Sequence, residues 1–128
     1  FASLSGGQRQ LILIARAITS ECKLMLLDEP TSALDLANQD IVLSLLIDLA
    51  QSQNMTVVFT THQPNQAVAI ANKTLLLNKQ NFKFGETRNI LTSENLTALF
   101  HLPMFEQQAQ YKESFFTHFV PLYKTLLK

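Results

Sequence analysis

The sequence has few of the features that would place a protein outside the cell or within a membrane. It has one cysteine, Cys22, which has no partner for an internal disulfide, and no segment that resembles a signal peptide. Both observations favour a reducing, cytosolic compartment. The longest apolar stretch, residues 11–15, is far shorter than the roughly 20 residues that a membrane-spanning helix needs. Any association with a membrane is therefore expected to be peripheral.

The chain also has no net charge, because its 10 basic residues balance its 10 acidic ones. No global field attracts it to nucleic acid or to an anionic membrane, and its lysines form no basic stripe. His101 and His118 are isolated from any other histidine or cysteine at metal-ligand spacing, so we expect surface or core positions for them. Its 128 residues, 47% of them hydrophobic and 16% charged, indicate a folded domain with a modest core.

Hydrophobic periodicity predicts alternating helices and strands in the first two thirds of the chain. A helix from Gly6 or Gly7 to Ile18 should be largely buried. The apolar run of residues 23–28, stopped by Pro30, predicts a central parallel strand that is covered on both faces. A second amphipathic helix, a strand at residues 56–61, a short helix from Pro64 and a strand at residues 74–77 follow. This order predicts a right-handed α/β fold with mainly parallel strands and flanking helices.

The pattern changes after Asn81. Phe82 and Phe84 alternate before Gly85 and predict an edge strand, and residues 92–93 cap a helix that ends before Pro103. The phenylalanine-rich tail fits a strand or a helix equally well. We therefore divide the chain into a main part, residues 1–102, and a C-terminal extension, residues 103–128.

Two adjacent acids, Asp28 and Glu29, come at the C-terminal end of the first predicted strand, where ligands bind in open α/β sheets. An aspartate in this position can hold a magnesium ion through its oxygens, and the next carboxylate can orient and deprotonate a water molecule. The alternative interpretation is that Asp-Glu-Pro only turns the chain.

Ser5, Gly6 and Gly7 precede the first predicted helix. Two glycines allow backbone N–H groups to approach a phosphate, the serine adds a hydroxyl donor, and the helix dipole favours an anion at this end. By itself, however, such a segment is also typical of a flexible turn.

At this point the sequence resembles the ATP-binding-cassette (ABC) ATPases. Residues 4–8 read as the signature motif of that family, residues 24–28 look like its Walker B strand and residues 32–35 look like its D-loop. Glu29 matches the catalytic glutamate and His62 the switch histidine. Several motifs in the right order are more specific than any one of them, and the resemblance extends over about residues 4–102.

The resemblance implies an ATPase that uses ATP and Mg²⁺ and forms a head-to-tail dimer with ATP between the subunits. Asp28 would then hold the metal, and His62 would bond the γ-phosphate; without this context His62 could equally cap the following helix. The residues implied to contact the nucleotide of the partner subunit are Ser5, Gly6, Gly7, Gln8 and Asp35.

The chain contains no Gly-x-x-x-x-Gly-Lys-Ser/Thr loop, so it lacks the lysine that would contact the β- and γ-phosphates. The aromatic residue and Q-loop that precede the signature in the family are missing as well. We therefore expect the chain by itself not to hydrolyse ATP, and the native protein to be longer.

Residues 85–96 resemble the same segment in the ATP-binding subunits of bacterial importers for iron-siderophore, haem, cobalamin and molybdate-type compounds. This implies a peripheral subunit on the cytoplasmic face of the inner membrane. It would dock on permease subunits, to which a periplasmic binding protein delivers the substrate. The alternatives are a soluble ABC protein that acts on nucleic acid or ribosomes, which the neutral charge disfavours, and a binding module without catalysis.

Overall fold

The computed structural model describes residues 6–19 and 22–127, which form two compact units that divide between His62 and Gln63. The elements of the first unit are α1 (Gly6–Thr19), β1 (Leu24–Leu27), α2 (Leu36–Ser52) and β2 (Thr56–Phe59). Those of the second are α3 (Pro64–Ile70), β3 (Lys73–Leu77), β4 (Phe82–Glu86), α4 (Thr87–Ile90), α5 (Ser93–Phe100), β5 (Met104–Tyr111), β6 (Ser114–Pro121) and a 3-10 helix (Lys124–Leu127). None of the helices in this described part is both long and apolar enough to cross a membrane.

The first unit is a strand, helix, strand arrangement in which β1 and β2 pair in parallel, with Leu27 beside Phe59 at the C-terminal ends. Helix α2 connects the two strands and packs against β2. It begins at Asp35, whose carboxylate accepts a hydrogen bond from the Asn38 backbone N–H at 2.8 Å. The buried apolar residues of this unit are Ile14, Met25, Val42, Leu46, Leu49 and Met55.

The expected burial of α1 and β1 is only partly present. Met25 is buried, but Leu24 is exposed and Leu26 retains 70% of its accessible surface. In α1, Ile14 is buried whereas Ile12 and Leu13 are exposed. The predictions of a largely buried helix and of a strand covered on both faces are therefore wrong for the described residues, since an apolar run shows which side chains favour burial but supplies no layer to cover them.

The second unit contains two antiparallel hairpins. Strands β3 and β4 pair from Lys73 beside Glu86 to Leu77 beside Phe82, and β5 and β6 pair over their full length. Short turns join each pair, and a short turn can join only antiparallel neighbours, since a parallel pair needs a long crossover. The expectation of mainly parallel strands is therefore correct for β1 and β2 but wrong for the other two pairs.

Side chains from α3, α5 and both strands of the second hairpin form the core of this unit. Its buried members are Ala67, Leu91, Leu96, Met104 and Phe119, with Val68, Ala71 and Leu76 packed against them. The capping residue of α5 is Thr92, whose hydroxyl accepts from the Asn95 N–H at 3.2 Å, as predicted for this segment. The undecided tail is thus a β-hairpin, with Phe119 on its buried face.

Candidate functional site

The ends of the two parallel strands bring together polar residues that are about thirty positions apart in the sequence. Asp28 and Glu29 follow β1, and Thr60 and His62 follow β2. The backbone ladder continues past the strands, because the Thr60 N–H donates to the Leu27 carbonyl at 3.0 Å. Because β1 and β2 are parallel, the segments that follow them leave the sheet at the same edge, which is where ligands bind in open α/β sheets.

Thr60 connects the two acidic residues through one hydroxyl group. Its Oγ1 donates to Asp28 Oδ1 at 2.6 Å and accepts from the Glu29 backbone N–H at 2.9 Å. The first distance is typical of a hydroxyl hydrogen bond to a charged carboxylate. The hydroxyl therefore uses its hydrogen and a lone pair at once.

Glu29 has an unusual backbone conformation, with φ at 44°. A non-glycine residue in the left-handed region costs about 1–3 kcal/mol and persists where its surroundings hold it. Here Thr60 holds its N–H, and its carbonyl accepts from the Ser32 N–H at 3.2 Å and from the Ser32 hydroxyl at 3.1 Å. The Asp-Glu-Pro segment thus does turn the chain, and the same turn sets the direction of the Glu29 side chain.

The side chains of Glu29 and His62 contact each other, with His62 Nε2 paired to Glu29 Oε1. The histidine side chain is 81% exposed and the glutamate side chain 35% exposed, so the pair lies at an open edge rather than in the core. The N-cap position of α3 is occupied by Gln63, not by His62. A carboxylate beside an imidazole at an accessible edge can accept a proton from water and transfer it.

The start of α1 lies against the start of α2 within the same unit. Gly7 is buried, and a Cβ added to it would lie 3.3 Å from Leu34 Cδ2 and 3.6 Å from Asn38 Cγ. Asp35 accepts from both the backbone and the side-chain amide of Asn38, at 2.8 to 3.0 Å. Its carboxylate therefore has a structural role as the cap of α2.

The strand ends offer a partial set of magnesium ligands. Among the described residues there is no group of three or more histidine, cysteine or acidic side chains that could hold a metal ion. Mg²⁺ is, however, commonly bound through one or two carboxylates, with waters and substrate phosphates as the other ligands. A carboxylate has about four lone-pair sites, and Thr60 occupies one of those on Asp28, so this residue fits such a role.

The family model described as ABC transporter matches residues 1–32. The predicted resemblance to ABC transporter ATP-binding proteins is confirmed. The whole chain is 97% identical to the molybdate import ATP-binding protein MolC of Haemophilus influenzae, of which it spans 51%. It is 40% identical over 79% of its length to the hemin import ATP-binding protein HmuV of Shewanella denitrificans, and 39% identical over 79% to a probable iron chelatin transport ATP-binding protein of Helicobacter pylori.

A solved structure shows the same fold. It is an inward-facing conformation of an ABC transporter assigned to the metal-chelate type, and one of its chains matches 98% of this chain with a TM-score of 0.95 and 97% sequence identity. The expected α/β fold of an ABC ATPase is thereby confirmed. The chain covers 50% of that neighbour and 38–51% of the curated relatives it matches.

Among the ABC site residues expected from the sequence, Asp28, Glu29 and His62 lie together at the strand ends. Gly6 begins α1 and Gln8 is exposed on its first turn. Ser5 lies outside the described residues. Both groups lie in the first unit.

The sequence reasoning did not identify Thr60 as a site residue. The β-branched pattern predicted a strand that includes Thr60, whereas β2 ends at Phe59, and the pattern does not predict the hydroxyl contacts. A usable signal was present, because the residues that follow two neighbouring parallel strands meet at one edge of the sheet.

Proposed function

We propose that the chain is the C-terminal part of an ATP-hydrolysing subunit of a bacterial ABC importer for a metal compound. The observation that carries this proposal is the cluster at the strand ends, where Thr60 holds both Asp28 and Glu29 and where Glu29 contacts His62. A cluster of interacting polar groups at an open sheet edge fits hydrolysis better than packing.

In the proposed reaction, Glu29 orients a water molecule and takes a proton from it while the water attacks the γ-phosphorus and the bond to ADP breaks. His62, beside Glu29, donates to the γ-phosphate and keeps the water in line. Asp28 would hold Mg²⁺, and the bound ion would neutralise charge on the phosphates. Asp28, Glu29 and His62 can therefore supply the water and metal side of the reaction.

The other half of the site would act on the nucleotide of a second copy. Ser5, Gly6, Gly7 and Gln8 would bind phosphate through backbone N–H groups and the serine hydroxyl, and Asp35 would lie at the same subunit interface. The position of Gly7 beside Leu34 and Asn38 supports this, because it places the glycine segment next to the start of α2.

A phosphate-binding loop supplied by upstream residues would complete the ATP site, and the chain without it would be inactive. The complete subunit would work as a dimer on the cytoplasmic side of the inner membrane. It would drive permease subunits that receive the substrate from a periplasmic binding protein. The relatives are named for import of molybdate and hemin and for transport of iron chelatin, which supports a metal compound as the substrate class. The name of the 97% identical relative makes molybdate the first substrate to test.

The test measures substrate uptake by membrane vesicles that contain the complete protein and its permease. ATP and Mg²⁺ are supplied on the side of the membrane to which the ATPase is bound. Molybdate, an iron-siderophore, haem and cobalamin are each supplied with a matching binding protein. We expect ATP-dependent uptake of one of these compounds, and no uptake when Mg²⁺ is removed. Hydrolysis without uptake of any of the four would contradict the importer assignment, and absence of hydrolysis would contradict the ATPase itself.

A further inference from the structure

We propose that Thr60 is a positioning residue that fixes Asp28 and Glu29 in the geometry needed for metal binding and water activation. This inference rests on the proposed function. Thr60 lies outside the motifs discussed above, and the supporting observation is that its hydroxyl contacts both acidic residues.

Thr60 contacts three consecutive positions of the neighbouring chain segment. Its backbone N–H donates to the Leu27 carbonyl at 3.0 Å, its hydroxyl donates to Asp28 Oδ1 at 2.6 Å, and the same oxygen accepts from the Glu29 N–H at 2.9 Å. The backbone bond fixes where the side chain starts. Because threonine is branched at Cβ, few side-chain rotamers are available to it. The hydroxyl is therefore held at a defined point between the two acidic residues.

The direction of the two hydroxyl bonds follows from the chemistry of the groups. A backbone N–H can only donate, so the Thr60 oxygen must accept from Glu29 and its hydrogen is left for Asp28. The carboxylate is thereby oriented, with its remaining lone pairs available to a metal ion. The bond to Glu29 also holds the residue whose φ is 44°, and so sets the direction of its carboxylate.

The strand itself does not need the hydroxyl. Valine has nearly the same shape as threonine and an equally good preference for strands. A Thr60→Val variant should thus keep the β1–β2 pairing and lose only the two hydroxyl contacts, whereas Thr60→Ser keeps the hydroxyl. Thr56→Val is a matched control, because Thr56 is an exposed threonine at the start of β2, four residues before Thr60.

The experiment compares these variants in the complete protein. Removal of a group that orients a metal ligand typically costs about 10- to 100-fold in metal affinity or activity. We expect Thr60→Val to raise the Mg²⁺ concentration for half-maximal hydrolysis and to lower kcat within that range, with little change in KM for ATP. Thr60→Ser should recover most of the loss, and Thr56→Val should behave as the parent protein.

A second readout does not depend on activity. Hydrogen exchange of the Glu29 amide, followed by NMR, should become faster in Thr60→Val and stay slow in Thr60→Ser and Thr56→Val. If Thr60→Val does not fold, Thr60→Ala removes the same hydroxyl and is measured in its place. Unchanged Glu29 exchange together with an unchanged Mg²⁺ requirement would overturn the inference, as would an equal loss in Thr60→Ser.

Measuring hydrolysis by the parent protein distinguishes a failure of this inference from a failure of the proposed function. Hydrolysis by the parent and no effect of Thr60→Val would reject the positioning role and leave the ATPase assignment standing. Absence of hydrolysis in the parent would reject the ATPase and, with it, the catalytic purpose of the contact.

Discussion

The two units of the chain use polar side chains in different ways. At the end of the parallel pair in the first unit, side chains contact one another, as in the Asp28–Thr60 and Glu29–His62 pairs. In the second unit the side chains bond mainly to backbone and connect helices to the second hairpin. These bonds run from Asn65 to Phe119, from Met104 to Thr97 and from Glu106 to Ser93.

Strand direction explains this difference. Parallel strands end at the same edge, so the residues that follow β1 and β2 converge. The antiparallel strands of a hairpin end at opposite edges, and the residues that follow them do not meet. We therefore expect substitutions in the first unit to change chemistry and substitutions in the second to change stability.

The largest effect is expected for Glu29→Gln in the complete protein. A general base contributes about 100- to 10,000-fold in rate, so hydrolysis should fall by that factor. ATP binding and closure of the dimer should persist, because the amide keeps the size of the side chain. Steady-state hydrolysis and nucleotide binding are measured, with Glu113→Gln in the turn between β5 and β6 as the control. Normal hydrolysis would remove Glu29 from the role of base.

A smaller but still severe loss of hydrolysis, about 100-fold, is expected for His62→Ala. Because this side chain is exposed, the free energy of unfolding should change by no more than about 0.5 kcal/mol. The control is His101→Asn, since His101 has a φ of 53° and asparagine tolerates that conformation. An unaffected rate would show that the contact with Glu29 has no part in catalysis.

The smallest effect on activity is expected in the second unit, for Asn65→Ala. The Asn65 side chain donates to the Phe119 carbonyl at 3.1 Å and accepts from its N–H at 2.6 Å. Loss of both bonds should lower the free energy of unfolding by about 1–3 kcal/mol, measured by urea denaturation. Hydrolysis per folded molecule should not change. The matched control is Asn89→Ala on α4, where the residue is exposed.

The opposite result for Asn65→Ala would contradict the comparison between the units. If hydrolysis were lost while the urea midpoint stayed the same, a polar contact of the second unit would have a chemical role.

Local patterns were sufficient to predict most elements but not what covers them. Helical spacing and β-branched runs predicted α1, β1, α2 and β2 to within a few residues. They could not show that Leu26 is exposed, because exposure depends on the neighbouring layers. They also could not identify the contacts of Thr60, since its hydroxyl partners are 31 and 32 positions away in the sequence.

The tail hairpin was undecided for a different reason. Its turn contains Lys112 with a φ of 55°, where glycine or asparagine would have given a recognisable turn signal. The phenylalanines of β6 fit both helical and strand periods in the sequence. The antiparallel pairing of β6 with β5 shows that this segment is a strand, with Phe119 as its buried residue.

The most direct test of the central claim is a comparison of this chain with the same protein extended upstream to its natural start. ATP binding is measured by calorimetry and hydrolysis by phosphate release, both with Mg²⁺ present. We expect the extended protein to bind and hydrolyse ATP and the 128-residue chain to do neither, because the residues proposed here supply the water side of the site and the 128 residues contain no phosphate-binding loop. Tight ATP binding by the 128-residue chain alone would contradict this expectation, since a phosphate site would then exist among residues to which no such role is given.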